Sequence, residues 1–292
     1  MADYKPTAAE IKELRSKTLA GFQDCQKALT EANGDMAAAE DIIRKKGLQV
    51  AAKKAHREAS EGLVVAVTSD DHKTGALVAV NTETDFAAKN EEFVALAGNL
   101  ADHVLASGPD EITDGPALYE IAYHADGGKT IKALIDETIG RIGENMGLKT
   151  AVRFKVDGVG LVHSYIHPPG KLGVMVEMAY GSEDDIQKAE ELIHEVALQI
   201  AFADPSYCTP EDIPEDVLNR ERDIAESKAR EQGKPEHIVP KIAEGMLRKF
   251  YSEECLLEQP YAKDPKITIK DLVKQSGVAG AEVKRYARFA LK

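Results

Sequence analysis

The sequence has no tryptophan, only three cysteines and 5% aromatic residues among 292, and these shortages narrow what the chain can be. With no tryptophan and 30% charged residues, nothing points to a lipid or haem pocket. Cys25, Cys208 and Cys255 are odd in number and far apart, which fits reduced thiols better than a disulfide framework or a metal knuckle. No apolar run approaches the ~20 residues that span a bilayer. The opening Met-Ala-Asp-Tyr-Lys-Pro is neither a secretory signal nor an arginine-rich transit peptide, so a soluble, cytoplasmic protein without membrane contact is expected. Basic residues are also in deficit, 37 against 50 acidic, for a formal charge of -13. That is the wrong sign for a broad grip on phosphate backbones, so no direct nucleic-acid partner is expected.

Active-site patterns are missing as well. Gly128-Lys129-Thr130 imitates the end of a phosphate-binding loop, but Tyr123 stands where the leading glycine belongs. His194-Glu195 begins like a zinc-protease helix, yet Leu198 occupies the second ligand position. His163 and His167 would share a strand face with no third ligand nearby. No nucleophile elbow or cysteine-histidine pairing is recognisable. The chain is therefore expected to be no enzyme and to carry no cofactor or metal.

What is present is organisation. A chain of 292 residues can hold two or more modules. Near the N-terminus, a Thr7-x-x-Glu10 capping box with Ile11 and Leu14 inward, a second helix over 24–32 stopped at Asn33-Gly34, and a third capped by Asp35 and ending before Gly47 predict three short helices. Residues 51–57, with Lys53, Lys54 and Arg57, read as a basic solvated linker. In the middle, a hairpin over 62–80 followed by a helix is echoed by a hairpin over 160–178 followed by a helix. Residues 151–156 alternate as a third strand of the second copy would. Each sheet must hide one apolar face, so two antiparallel meanders covered by helices are predicted. Residues 214–251 read as two charged helices joined at Gly233-Lys234-Pro235, a protruding antiparallel hairpin whose second arm is kinked by Pro240 unless it begins later. A short amphipathic helix around 271–274 closes the tail. The fold class is α+β, with modules at 1–55, 56–145, 146–210, 211–255 and 256–292.

The most informative stretch is 81–89, Asn-Thr-Glu-Thr-Asp-Phe-Ala-Ala-Lys. It follows a short apolar strand at 76–80 and precedes a helix in which Phe93, Leu96, Ala97, Leu100 and Val104 recur at helical spacing. Thr84 or Asn90 can cap helical turns there, with Asp85, Glu91 and Glu92 near positive helix ends. Phe86 has two fates: to pack beneath its own helix, or to point outward as a wedge.

This stretch resembles the internal signature of the elongation factor Ts family. So does the opening segment: Leu14-Arg15, Thr18, Gly21, Asp24-Cys25, Lys27-Ala28-Leu29, Glu31 and Gly34-Asp35 resemble that family's first motif. The resemblance continues through Arg141-Ile142-Gly143-Glu144-Asn145, Tyr165-Ile166-His167, Gly170-Lys171-Leu172-Gly173-Val174 and Leu256-Leu257-Glu258-Gln259-Pro260. It implies guanine-nucleotide exchange on elongation factor Tu, bound in its GDP and nucleotide-free states, and an N-terminal domain similar to ubiquitin-associated (UBA) domains. Thr84, Asp85, Phe86 and Ala87 would form a wedge that dislocates the partner's Mg²⁺. Leu14, Arg15 and Phe22 would touch the partner, Ile142 and Gly143 would lie beside the wedge, and His167 would meet the partner's far domains. Leu19 replaces a usual glycine and Gln23 a usual methionine, which departs from the pattern. Two other classes stay open: a ubiquitin-type adaptor working through the N-terminal bundle, and an enzyme acting between the core halves.

Overall fold

The computed structural model describes residues 4–291, and the chain is mixed helix and sheet. Residues 4–65 and 78–153 belong to one compact unit, residues 66–77 and 154–289 to a second.

Three helices open the first unit: α1 (Ala8–Thr18), α2 (Phe22–Glu31) and α3 (Met36–Lys54). Thr7 and Glu10 complete the capping box, and Asp35 caps α3 by accepting from the Ala38 amide. Ile11, Leu14, Cys25, Ala28, Leu29 and Ala39 close a common core. Contrary to expectation, α3 does not stop before Gly47. It runs to Lys54, so the first residues of the supposed linker are its last turn, with Ala51 buried. The reason is a neighbour. Gly47 lies against a later helix where a Cβ on Gly140 would come 2.6 Å from the Gly47 Cα, so two glycines let the backbones touch and the gain in packing outweighs the low helix propensity of glycine.

Two strands follow, β1 (Glu61–Thr68) and β2 (Thr74–Thr82), then the single turn α4 (Asp85–Ala88) and the long helix α5 (Glu91–Ser107). After β3 (Thr113–Asp114) come a small hairpin, β4 (Ala122–Tyr123) and β5 (Asp126–Thr130), the helix α6 (Ile131–Ile142) and β6 (Met146–Lys155). The sheet order is β1-β2-β6-β3. Thus the alternating segment expected as a third strand of the second copy belongs to the first sheet. Alternation fixes which side chains face inward, and says nothing about which neighbour a strand chooses.

In the second unit, β7 (Gly160–His167) pairs antiparallel with β8 (Leu172–Ala179), and α7 (Ile186–Ala203) packs on both. Next come α8 (Glu215–Glu231) and α9 (Val239–Glu254), which pack on each other through Ala225, Ala229, Val239, Ala243 and Leu247. Pro240 does not kink α9, because that helix begins at Val239 and proline is tolerated in a first turn, where its missing N–H is not needed. A second small hairpin, β9 (Pro260–Tyr261) and β10 (Asp264–Thr268), leads to α10 (Ile269–Gln275) and β11 (Glu282–Ala290). β11 completes the sheet β11-β8-β7; only a helix had been expected in the tail. Val283, Ala287 and Phe289 alternate inward, while Arg285 reaches Glu177 at 2.7 Å and lies 4.3 Å from the Phe154 ring centre.

The two small hairpins use the same chemistry. Thr130 caps α6 and Thr268 caps α10. The Ile131 amide donates to the Ile121 carbonyl and the Ile269 amide to the Gln259 carbonyl, both at 3.0 Å. In the first, the His124 amide donates to buried His103 Nδ1 at 3.2 Å; in the second, the Ala262 amide donates to buried Gln199 Oε1 at 2.9 Å. In each hairpin a buried polar side chain on the long helix thus accepts from the first amide of the turn. The phosphate-loop look-alike is explained here: its threonine is a helix cap.

Candidate interaction site

Phe86 is 81% exposed. Single exposed apolar residues are ordinary on protein surfaces, so what matters is how this one is held. β2 is buried along most of its length and delivers the chain to Thr84, whose side chain accepts from the Ala87 amide at 3.1 Å. One helical turn follows, and it divides its residues by face. Ala87 and Ala88 go inward and are buried, whereas Asp85 and Phe86 go outward. Asn90 then caps α5 by accepting from the Glu92 amide at 2.8 Å. Threonine and asparagine thus act as caps, each satisfying one first-turn amide as the chain passes from strand to helix. Asp85 pairs with Lys89 at 2.9 Å, and that lysine holds its carboxyl below the ordinary value.

The turn is braced by the segment after α6. Gly143 takes a left-handed conformation, φ 80°, and its amide donates to the Ile139 carbonyl at 2.8 Å, ending α6 and turning the chain back. Each polar residue of Arg141-Ile142-Gly143-Glu144-Asn145 then has a partner. Arg141 Nε donates to Glu92 at 2.5 Å. The Glu144 carboxylate accepts from the Thr84 amide at 3.1 Å and from Thr84 Oγ1 at 2.9 Å. The Asn145 amide donates to Glu83 at 2.6 Å, and its side chain to the Arg57 carbonyl at 2.7 Å. Burial would raise the Glu83 carboxyl, yet the Asn145 amide and the Arg57 guanidinium hold it below the usual range.

The other expected contact residues are distributed as follows. Arg15 and Phe22 are exposed on the bundle, Ile142 and Gly143 are half-buried at the end of α6, and His167 is exposed at the end of β7 with Tyr165 Oη 2.8 Å from its Nδ1. Leu14 is a correction. It is 0% exposed and belongs to the bundle core, so it cannot touch a partner while the bundle is folded; its helical spacing with Ile11 already gives it an inward face. Ala87 is likewise buried, beneath the turn that carries Phe86. Leu19, 59% exposed, is forced left-handed at φ 55°, where its amide closes α1 on the Arg15 carbonyl. A Cβ costs roughly 1–2 kcal/mol there, so Leu19→Gly is expected to stabilise the folded chain by up to about 1 kcal/mol, after the entropy glycine adds to the unfolded state. Denaturant titration of both proteins checks this, and an equal or lower midpoint for the variant counts against it.

Sequence reasoning missed one pair. His163 and His167 do not work together; His163 Nε2 lies 3.0 Å from His194 Nδ1 across β7 and α7. Burial, then His194 and His72, lower His163 to about 4. The unfolded chain therefore takes a proton near the ordinary histidine value of 6.5 while the folded chain does not. His163 thus costs no stability above about pH 6.5, and stability falls as pH drops from there toward 4. Melting curves across that window should show His163→Gln to be less acid-sensitive than the parent; identical slopes would remove His163 as the cause.

A cleft of about 380 Å³ in the first unit lies between the bundle and α6. Its cations are already matched: Lys46 with Asp24, Arg44 with Asp41 at 3.3 Å, Lys129 with Glu137 at 3.0 Å. Among the described residues Phe86 and Phe202, 81% and 80% exposed, are the phenylalanines most open to solvent, and of the two only Phe86 lies in the 81–89 motif.

Known sequences agree in one direction. The sequence model of the family described as Elongation factor TS matches residues 83–292. An elongation factor Ts of Aquifex aeolicus (strain VF5) is 44% identical over 284 residues, 97% of this chain and 96% of that protein. One from Trichlorobacter lovleyi is 44% identical over 292 residues, 98% and 92% of the two chains. One from Clostridium perfringens (strain SM101 / Type A) is 43% identical over 269 residues, 92% and 86%. On the 81–89 motif, the family model and this near full-length identity, the chain belongs to the elongation factor Ts family and has that family's part in translation elongation.

Proposed function

We propose that the chain binds elongation factor Tu carrying GDP, speeds release of the nucleotide by disturbing its Mg²⁺ and phosphate site, and leaves when GTP enters. The observation that carries this reading is the exposure of Phe86 on a capped and braced turn. Mg²⁺ demands near-ideal octahedral geometry, so a small displacement of its ligands loosens it and the phosphates it bridges. An aromatic ring pushed between elements of the partner can cause such a displacement, provided the ring's own mounting does not yield first. Coupling is reciprocal: whatever factor the chain takes from nucleotide affinity, bound nucleotide takes from the chain's affinity, and this permits turnover. The exchange makes and breaks no covalent bond.

One ring cannot hold such a complex. Arg15 and Phe22 on the bundle, Ile142 and Gly143 behind the wedge, and His167 on the second unit are the anchors we assign, with Asp85 adding polar contacts beside the ring. The three-helix bundle is UBA-like in this reading, and the matched cap and amide contacts of the two small hairpins support a core built from two related halves. No direct contact with nucleic acid is needed.

The test is release of fluorescent GDP from elongation factor Tu, with the chain added at increasing concentration. Saturable acceleration supports the proposal. Release at the intrinsic rate throughout, with the chain folded, overturns it. Capture of ubiquitin by the bundle without any nucleotide effect would favour the adaptor alternative.

A further inference from the structure

We infer that Glu144 is the positioning residue of this wedge: its carboxylate fixes Thr84 in the conformation that keeps Phe86 outward. The inference rests on reading Phe86 as the acting group. Thr84 is the hinge between β2 and the helical turn, and Glu144 contacts it through backbone and side chain together. The amide donates to Glu144 Oε2 at 3.1 Å, and the hydroxyl lies 2.9 and 3.1 Å from the two carboxylate oxygens. Thr82 Oγ1 adds a longer contact at 3.4 Å.

The hydroxyl carries a single proton. With the carboxylate beside it, that proton has one destination, and the oxygen's lone pairs are left for the Ala87 amide at 3.1 Å. A hydroxyl that donates to a charged acceptor is also a better acceptor itself, so the cap is strengthened by the group behind it. The adjacent pair, Glu83 with the Asn145 amide at 2.6 Å, stops the hinge from sliding along the brace. Two neighbouring residues on one segment thus interlock with two on the other.

A physical consequence follows for exchange. Without the carboxylate, Thr84 can rotate and the turn samples orientations in which the ring is misdirected. The anchoring surfaces are untouched by this, so complexes still form, but only the fraction with the turn in place can displace the partner's ligands. The loss therefore falls on the maximal rate of release more than on the concentration needed for half-saturation.

The experiment uses the full chain with Glu144→Ala, Glu144→Gln and Phe86→Ala. Amide hydrogen exchange at Ala87 reads the turn directly and needs no partner. In Glu144→Ala it is expected to quicken roughly tenfold while core amides of β2 keep their protection. Release of fluorescent GDP from elongation factor Tu is then measured as a function of factor concentration. For Glu144→Ala the maximal rate is expected to fall roughly tenfold, with half-saturation changed by less than about threefold; Glu144→Gln, keeping one acceptor oxygen, should lie between it and the parent. If Ala87 protection and maximal rate stay at parental values in Glu144→Ala, the inference is overturned. It is also overturned if protection falls, Phe86→Ala is defective and the maximal rate is nevertheless unchanged. If Phe86→Ala itself exchanges normally, the wedge reading fails instead, and Ala87 protection still decides whether Glu144 holds the turn. Should Glu144→Ala melt globally, the same comparisons are made with Glu144→Gln.

Discussion

Phe86→Ala is expected to slow factor-stimulated release of GDP by roughly ten- to a hundredfold while leaving the chain as stable as before. The magnitude follows from the ring. Burying one phenylalanine is worth roughly 1.5–3 kcal/mol, and each 1.4 kcal/mol is a factor of about ten. If that free energy is realised when the partner's metal site is displaced, its loss appears in the rate. Stability should change little, because a side chain that is 81% exposed gives up almost no burial within its own molecule, and surface substitutions stay within about 0.5 kcal/mol. Stopped-flow release of fluorescent GDP and a denaturant melt together check both halves. An unchanged rate would refute the wedge and leave family membership as it is.

The strand, the turn and the long helix around Phe86 were legible because each carries a local signal: an apolar run, a capping threonine, a capping asparagine, a helical stripe. Which way the ring points was not legible. Phe86 and Phe93 are both apolar residues near a helix start, and only the completed fold shows that Ala87 and Ala88 take the inward places beside the turn. Glu144 stood in a quoted motif without a role because its partner Thr84 is far off in the chain, and no periodicity links a carboxylate to a distant backbone amide. The same limit explains β6. Its alternation was visible, but its neighbour was set by non-local pairing.

Two other misreadings came from treating local preference as decisive. Gly47 and the lysines after it look like a helix end followed by a linker, yet contact with Gly140 carries α3 onward. The family resemblance makes Leu14 a contact, although its spacing with Ile11 already makes it core. The converse case is Pro240, where local chemistry was right: a proline in a first turn marks a helix start.

Phe93→Ala should behave in the opposite way to Phe86→Ala. Phe93 is 0% exposed and sits in the first turns of α5, next to the cap at Asn90. Truncating a buried phenylalanine removes its transfer free energy and leaves a cavity, together about 3–5 kcal/mol, a large share of the ~5–15 kcal/mol that holds a typical domain folded. The denaturant midpoint is expected to fall accordingly. Under conditions where the variant is still folded, the braced turn remains capped by Thr84 and tied to Glu144, so stimulated GDP release per folded molecule should stay within a few-fold of the parent. The two variants then separate along different axes, one in rate and one in stability. If Phe93→Ala kept its midpoint and lost its rate, the division of labour between an outward ring that acts and an inward ring that supports would be wrong, and α5 would have to be counted as part of the contact surface.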